Sequence, residues 1–268
     1  MPHPFFEVSR PTVIGHRGAA GSHPENTLAA FEAALAQGAH ILESDIHSSA
    51  DGVPVLLHDP GVDRVTEHTG QAADLLWAEL STLDAGHHFV DASGAFPYRD
   101  QGHHIPSLEQ AFQCFPDARF NLEIKCPEPT TTRATLELVE RYGRAERTLL
   151  TAGEDEGMRC LRKAASSFPN GPALGASLGE IVAAISSALG DGPMPNGVMA
   201  LQIPAEFGGR PLVTRALVEH AHANEVAVHV WTINTLAEIE ALLELGVDGI
   251  VTDLPGQMHE WLGRHGRR

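Results

Sequence analysis

Basic residues are scarce in this chain. Eighteen lysines and arginines stand against thirty-five aspartates and glutamates, giving a formal charge of −17 with the histidines neutral. Such a surface repels nucleic-acid backbones and anionic membranes at long range, so no nucleic-acid partner is expected. Cysteine is scarcer still: Cys114, Cys126 and Cys160 are odd in number and far apart. That pattern supports neither a disulfide framework nor a thiolate zinc site. No apolar run reaches the length of a bilayer span, and Met1-Pro2-His3-Pro4-Phe5-Phe6-Glu7 lacks a basic leader followed by an apolar stretch. The expectation is a cytoplasmic protein with no stable membrane anchor. Internal repeats and low-complexity tracts are missing too, and nothing in the sequence speaks to oligomeric state.

What is present is ordinary globular material. The 268 residues are 43% hydrophobic and 20% charged, enough apolar surface for one large core. Short β-branched runs alternate with helical patterns from one end to the other. Strands are expected at 12–16, 41–47, 120–125, 147–151, 174–178, 198–203, 226–233 and 248–252. Helices are expected near 27–37, 132–142, 157–167, 180–189, 214–223 and 237–245, with another after the last strand. In the first helix Leu28, Phe31 and Leu35 share a face and Gly38 ends it; in the helix at 237–245 Thr235 and Glu238 fit a capping box and Gly246 ends it. Eight strands, most of them followed by helices, predict an α/β fold, a closed (β/α)8 barrel as one domain over 1–268. The open doubly wound sheet is disfavoured because no Gly-x-Gly-x-x-Gly turn follows the first strand. The rhythm breaks once. Asp51-Gly52 reads as a hairpin turn into Val53–His58, and roughly 59–108 reads as a small insertion after the second strand.

In such a barrel the residues at the carboxyl ends of the strands face a common pocket. Glu43 and Asp45 are two apart on one strand, so their side chains share a face, roughly 6 to 7 Å apart along the backbone. Glu123 lies in an apolar strand with Lys125 on its face, and an ionised carboxylate there requires a counter-charge. Three carboxylates offer an all-oxygen site, suited to one hard divalent cation, Mg2+ or Ca2+. Arg17, directly after the first strand, has the planar fork that grips two phosphate oxygens. Of sixteen histidines, His16 and His58 stand out because each ends a strand, and together they offer a base and an acid near neutrality. His47 continues the Glu43 and Asp45 face as an edge residue. The doublets His87-His88 and His103-His104 lack helical metal spacing and read as loop residues. Trp231 either walls the pocket or fills the barrel, and Asp253 either caps the last helix or orients a neighbour.

Together these residues resemble the glycerophosphodiester phosphodiesterase family of TIM-barrel enzymes. The resemblance runs through His16-Arg17-Gly18, Pro24-Glu25-Asn26-Thr27, Glu43-Ser44-Asp45, Asp51-Gly52-Val53-Pro54-Val55 and His58-Asp59. It continues through Ile105-Pro106-Ser107-Leu108-Glu109, Asn121-Leu122-Glu123-Ile124-Lys125, Val230-Trp231-Thr232-Ile233-Asn234 and 246–253. The resemblance implies His16 and His58 as the acid/base pair, Glu43, Asp45 and Glu123 as metal ligands, Arg17 and Lys125 as phosphate contacts, and Trp231 as a pocket wall. It also implies a small-molecule glycerophosphodiester substrate, hydrolysed to sn-glycerol 3-phosphate and an alcohol. Between about 143 and 197 it supports architecture alone. Two other readings stay open on the sequence: a lyase that releases a cyclic phosphate, and a barrel that binds a phosphate ligand without turnover.

Overall fold

The structure is a computed structural model that describes residues 3–126, 128–190 and 192–266. Its strands, in chain order, are β1 (Thr12–Gly15), β2 (Ile41–Ser48), β3 (Pro54–Leu56), β4 (Arg119–Ile124), β5 (Thr148–Thr151), β6 (Ala173–Leu174), β7 (Ala200–Pro204), β8 (Glu206–Phe207), β9 (Arg210–Pro211), β10 (Ala227–Trp231) and β11 (Gly249–Thr252). Its helices are α1 (Leu28–Ala36), α2 (Trp77–Leu80), α3 (Leu108–Cys114), α4 (Pro129–Arg141), α5 (Asp155–Ala165), α6 (Leu178–Ala188), α7 (Arg215–Ala223), α8 (Leu236–Leu245) and α9 (Pro255–Arg264). Eight parallel strands run side by side in the order β6-β5-β4-β2-β1-β11-β10-β7. The ring nearly closes between its two ends, where the Met199 N–H, one residue before β7, donates to the Leu174 carbonyl of β6 at 3.0 Å. The expected eight-stranded α/β barrel is therefore the fold.

Strands buried on both faces read as continuous apolar runs, and every residue of β1 and β11 is buried. The amino-terminal end of the barrel is plugged by Phe5 and Phe6, which pack on Ile14, Ile41, Leu149, Ala173, Ala200, Ala227 and Val251. That leaves the carboxyl ends of the strands as the accessible mouth. Between barrel and helices, the Phe120 ring of β4 meets Phe31 of α1 and Phe112 of α3 edge to face, at centroid distances of 5.9 and 5.6 Å. The buried Arg144 guanidinium donates to the carbonyls of Phe115, Pro116 and Ala118. These are the groups that the carboxyl end of α3 and the turn into β4 would otherwise leave unpaired. β4 enters the barrel fixed in depth as a result.

Several local outcomes differ from the periodicity. β6 stops at Leu174 instead of running to Leu178, because Ser177 and Glu180 form a capping box that commits Leu178 to the first turn of α6. Ser107 and Gln110 form another, and it starts α3, a helix that the broken rhythm of this region hid. At α8 only half a box forms: Thr235 Oγ1 accepts the Glu238 N–H, but the Glu238 carboxylate accepts the Thr235 hydroxyl instead of the Thr235 N–H. In α1, capped by Thr27, the buried stripe is Ala30, Phe31 and Ala34, while Leu28 and Leu35 are only partly covered. The β8–β9 hairpin, which turns at Gly208 and Gly209, had no signal in the strand pattern.

The register of β2 sets the site. Asp45 pairs with Glu123 of β4 and Glu43 with Asn121, so Asp45 and Glu123 are lateral neighbours and Glu43 lies one pleat deeper. β3 turns back antiparallel on β2 after Asp51-Gly52, with Ile46 opposite Leu56, and delivers His58 beyond its end. The chain between β3 and α3 then encloses a small core of its own, in which Val62, Val65, Ala72, Leu80, Ala85 and Ile105 pack against Val55 and Leu57.

Candidate active site

The turn after β1 holds two of the candidate side chains. Arg17 and Gly18 both have positive φ, 51° and 87°. A Cβ on Gly18 would come within 2.6 Å of the Ala30 backbone, so glycine is required there. The turn aims the Arg17 N–H at Glu43 Oε2, 3.0 Å away, and brings the guanidinium to Glu25 Oε1 at 2.8 Å and to Asp45 Oδ2 at 3.5 Å. The motif that follows supports it. Buried Asn26 accepts the Ser44 hydroxyl at 2.6 Å and reaches Asp45 Oδ2 at 3.4 Å, which orients the Asp45 carboxylate.

Each of the two histidines has an aspartate behind it. His16 Nδ1 lies 2.6 Å from Asp253 Oδ1, and His58 Nδ1 lies 2.7 Å from Asp59 Oδ1. A carboxylate can only accept, so both Nδ1 atoms carry the proton and both Nε2 atoms are left to meet substrate. Asp253 is held in turn by Asn234 Nδ2 at 2.6 Å. Asp253 therefore orients a neighbour, and α9 begins after Leu254 without a side-chain cap. His47, buried beside Asp45, donates from Nε2 to the His58 carbonyl at 3.1 Å and steadies the backbone there.

Arg64 completes the arrangement and was not visible in the sequence. It pairs with Glu25 at 2.7 and 2.8 Å and with Asp59, so a continuous chain of charges runs from Arg17 through Glu25, Arg64 and Asp59 to His58. Arg64 lies in the insertion, 39 residues from Glu25, where no periodic pattern marks a functional position. Lys125 donates from Nζ to Glu123 at 2.7 Å and lies 3.2 Å from Asp45. Trp231 ends β10 at the mouth with 44% of its surface exposed, so it does not fill the barrel.

The electrostatics follow from this packing. Burial and the neighbouring Asp45 charge push the Glu43 carboxyl up to about 7, against the opposing pull of His16 and the Arg17 N–H. Burial disfavours the His16 imidazolium, but the Asp253 hydrogen bond and the Glu43 charge outweigh it and raise His16 above the ordinary histidine value. Burial likewise works against Lys125 and is outweighed by Asp45 and Glu123, so the ammonium is held charged. Glu25 is partly desolvated, yet Arg64 and Arg17 keep it below the usual carboxylate range.

Three carboxylates of this kind suit a hard cation, and Asp45 and Glu123 already share one, the Lys125 ammonium. Among the described residues Glu43 has no side-chain cation at hydrogen-bond distance, and it carries the cost in its raised pKa. The donor set thus fits a divalent ion in kind. Their oxygens are not gathered as closely as the donor atoms of Asp84, His87 and Asp100, the one group among the described residues whose three donor atoms lie within 4.8 Å of one another.

A parallel barrel with carboxylates, cations and oriented imidazoles at its carboxyl end defines a barrel enzyme with a charged site at its mouth. The model of the glycerophosphoryl diester phosphodiesterase family matches residues 16–257, and the chain belongs to that family and is a phosphodiesterase of its class. It is 31% identical to a glycerophosphodiester phosphodiesterase of Caldanaerobacter subterraneus subsp. tengcongensis, over 91% of this chain and 94% of that protein. It is 28% identical to a lysophospholipase D of Homo sapiens, over 93% of this chain and 85% of the relative. A phosphodiesterase of Oleispira antarctica, solved with the product sn-glycerol-3-phosphate, superimposes with a TM-score of 0.77 at 26% identity, over 94% of this chain and 97% of the other.

Proposed function

We propose that the protein hydrolyses glycerophosphodiesters to sn-glycerol 3-phosphate and an alcohol, with one divalent cation and the His16 and His58 pair. The observation that carries this reading is the pair of imidazoles, each with Nδ1 tied to an aspartate and Nε2 left for the substrate. Glu43, Asp45 and Glu123 would hold Mg2+ or Ca2+, and the bound ion would supply Lewis-acid polarisation of the phosphoryl group. Arg17 and Lys125 offset the charge that develops on the phosphoryl oxygens. His16, whose hold on a proton Asp253 and Glu43 strengthen against the cost of burial, suits the acid that gives a proton to the departing alkoxide. His58 then takes the proton of the attacking oxygen, with Asp59 and Arg64 fixing its ring. Trp231 walls the mouth against the carbon atoms of the substrate.

The similarity to a protein named as a lysophospholipase D places lysophospholipids in the panel to be tried beside glycerophosphocholine, glycerophosphoethanolamine and glycerophosphoglycerol. The test is turnover of that panel by wild type, His16→Ala and His58→Ala, with each metal and with chelator. Acid/base roles predict losses of about 10²- to 10⁴-fold for each variant in properly folded protein. Undiminished turnover in either variant would remove that histidine from the mechanism, and turnover in chelator would remove the metal.

A further inference from the structure

Outside the barrel mouth, the insertion gathers a second set of donor groups that shares no residue with the first. Asp84, His87 and Asp100 each present one ligand atom, and the three atoms lie within 4.8 Å of one another. Asp84 is buried, His87 partly so and Asp100 exposed, so the group has a fixed floor and an open side. His87 Nδ1 is itself buried and has no hydrogen-bond partner among the described residues. It faces Asp84 Oδ2 at 3.9 Å, too far for a hydrogen bond.

A buried imidazole nitrogen left unpaired is unfavourable, and native structures seldom keep one without a reason. A cation would satisfy it. Two donors on one tetrahedral ion, each about 2.1 Å from it, sit roughly 3.4 Å apart, so a shift of about half an ångström brings His87 and Asp84 to that spacing. The carboxylate is already held in place: Asp84 Oδ1 accepts the Gly86 N–H at 2.9 Å, and Oδ2 accepts the Asp100 N–H at 2.7 Å. Each oxygen keeps a further lone pair. The nearby Arg99 is engaged elsewhere, with its Nε on the His87 carbonyl and its guanidinium over the Phe96 ring.

We propose that Asp84, His87 and Asp100 form a second divalent-metal site, one that takes an ion of borderline softness such as Zn2+. The imidazole sets this preference, because the all-carboxylate mouth suits Mg2+ or Ca2+ whereas mixed nitrogen and oxygen donors suit zinc. The site clips the chain at 84–87 to its return at Asp100. That return includes Tyr98, whose hydroxyl donates to the Ser22 carbonyl at 3.1 Å, in the loop that leads to Glu25. The clip thereby holds the insertion against the rim of the mouth without touching the reacting groups.

The test is equilibrium dialysis of the whole chain against Zn2+, for wild type, His87→Ala, Asp100→Asn and Asp45→Asn, with thermal melting of each. Wild type and Asp45→Asn should hold an equivalent of Zn2+ that His87→Ala and Asp100→Asn lack. Zn2+ should raise the Tm of the first two but not of the last two. The exposed Asp100 side chain is replaced without disturbing the core, so that variant carries the test if His87→Ala folds poorly. Binding equal to wild type in Asp100→Asn, or in folded His87→Ala, overturns the site. A loss confined to Asp45→Asn also overturns it, since the barrel mouth would then hold all the bound zinc.

Discussion

Replacing Glu43 with glutamine should make the metal-free protein more stable at alkaline pH and inactive. Glu43 is desolvated and faces Asp45, and its carboxyl is held at about 7 against an ordinary value of 4.5. The folded state therefore keeps a proton that the unfolded chain releases near pH 4.5. The sign is that of a raised carboxyl: folded stability falls as pH rises from about 4.5 to 7 and is constant above that. The full penalty is about 3 kcal/mol. Glutamine cannot ionise, yet its carbonyl oxygen can still accept the Arg17 N–H. Urea unfolding in the presence of chelator reads the effect directly. Wild type and Glu43→Gln should unfold at similar urea concentrations at pH 4.5 and separate as pH rises, with the variant more stable by up to about 3 kcal/mol at pH 8. Added Mg2+ or Ca2+ should narrow the gap by stabilising wild type, because the cation supplies the missing counter-charge. If the variant is the less stable at pH 8, or if the difference does not vary with pH, Glu43 is a structural acceptor and the argument for a surplus of charge at the mouth fails.

Asp253→Asn removes the partner that raises His16, so the alkaline limb of the kcat/KM profile should move to lower pH; an unmoved limb would show that His16 is not the titrating acid. Arg64→Ala should lower kcat/KM by about tenfold or more through the loss of a charge-assisted contact that fixes Asp59, while half-exposed pairs of this kind contribute only about 1 kcal/mol or less to stability. A Tm that collapses along with activity would make Arg64 a structural residue instead. Phe120→Ala empties the meeting point of two other rings and should cost about 3 to 5 kcal/mol in urea unfolding, with kcat per folded molecule retained.

The parts of this molecule that a sequence can announce are those written in local periodicity. Strands such as Thr12–Gly15 and helices such as Leu236–Leu245 carry their own pattern and caps, so the barrel was legible to within a few residues. Capping chemistry overrode the apolar run at Leu178 because Ser177 with Glu180 satisfies two helix N–H groups that a longer β6 would not. Glu43, Asp45 and Glu123 were legible as neighbours because alternate residues of paired parallel strands share a face, and His16 and Arg17 because they directly follow β1. Asp253, by contrast, offered two readings, since its contact with His16 spans 237 residues and exists only when β11 pairs with β1. Arg64 and the third donor at Asp100 lie in the aperiodic insertion, where side chains meet through loop return and no spacing rule applies. His87 was passed over for the same reason, since helical spacing is not how that loop brings donors together.

The proposed reaction is hydrolysis of a glycerophosphodiester at this mouth, with metal and paired histidines. Phosphorus NMR of glycerophosphocholine incubated with the protein and Mg2+ or Ca2+ tests it most directly. A growing sn-glycerol 3-phosphate resonance is expected, absent with chelator and strongly slowed in His16→Ala. Accumulation of a cyclic phosphate with no glycerol 3-phosphate, or full product formation in chelator, would contradict it.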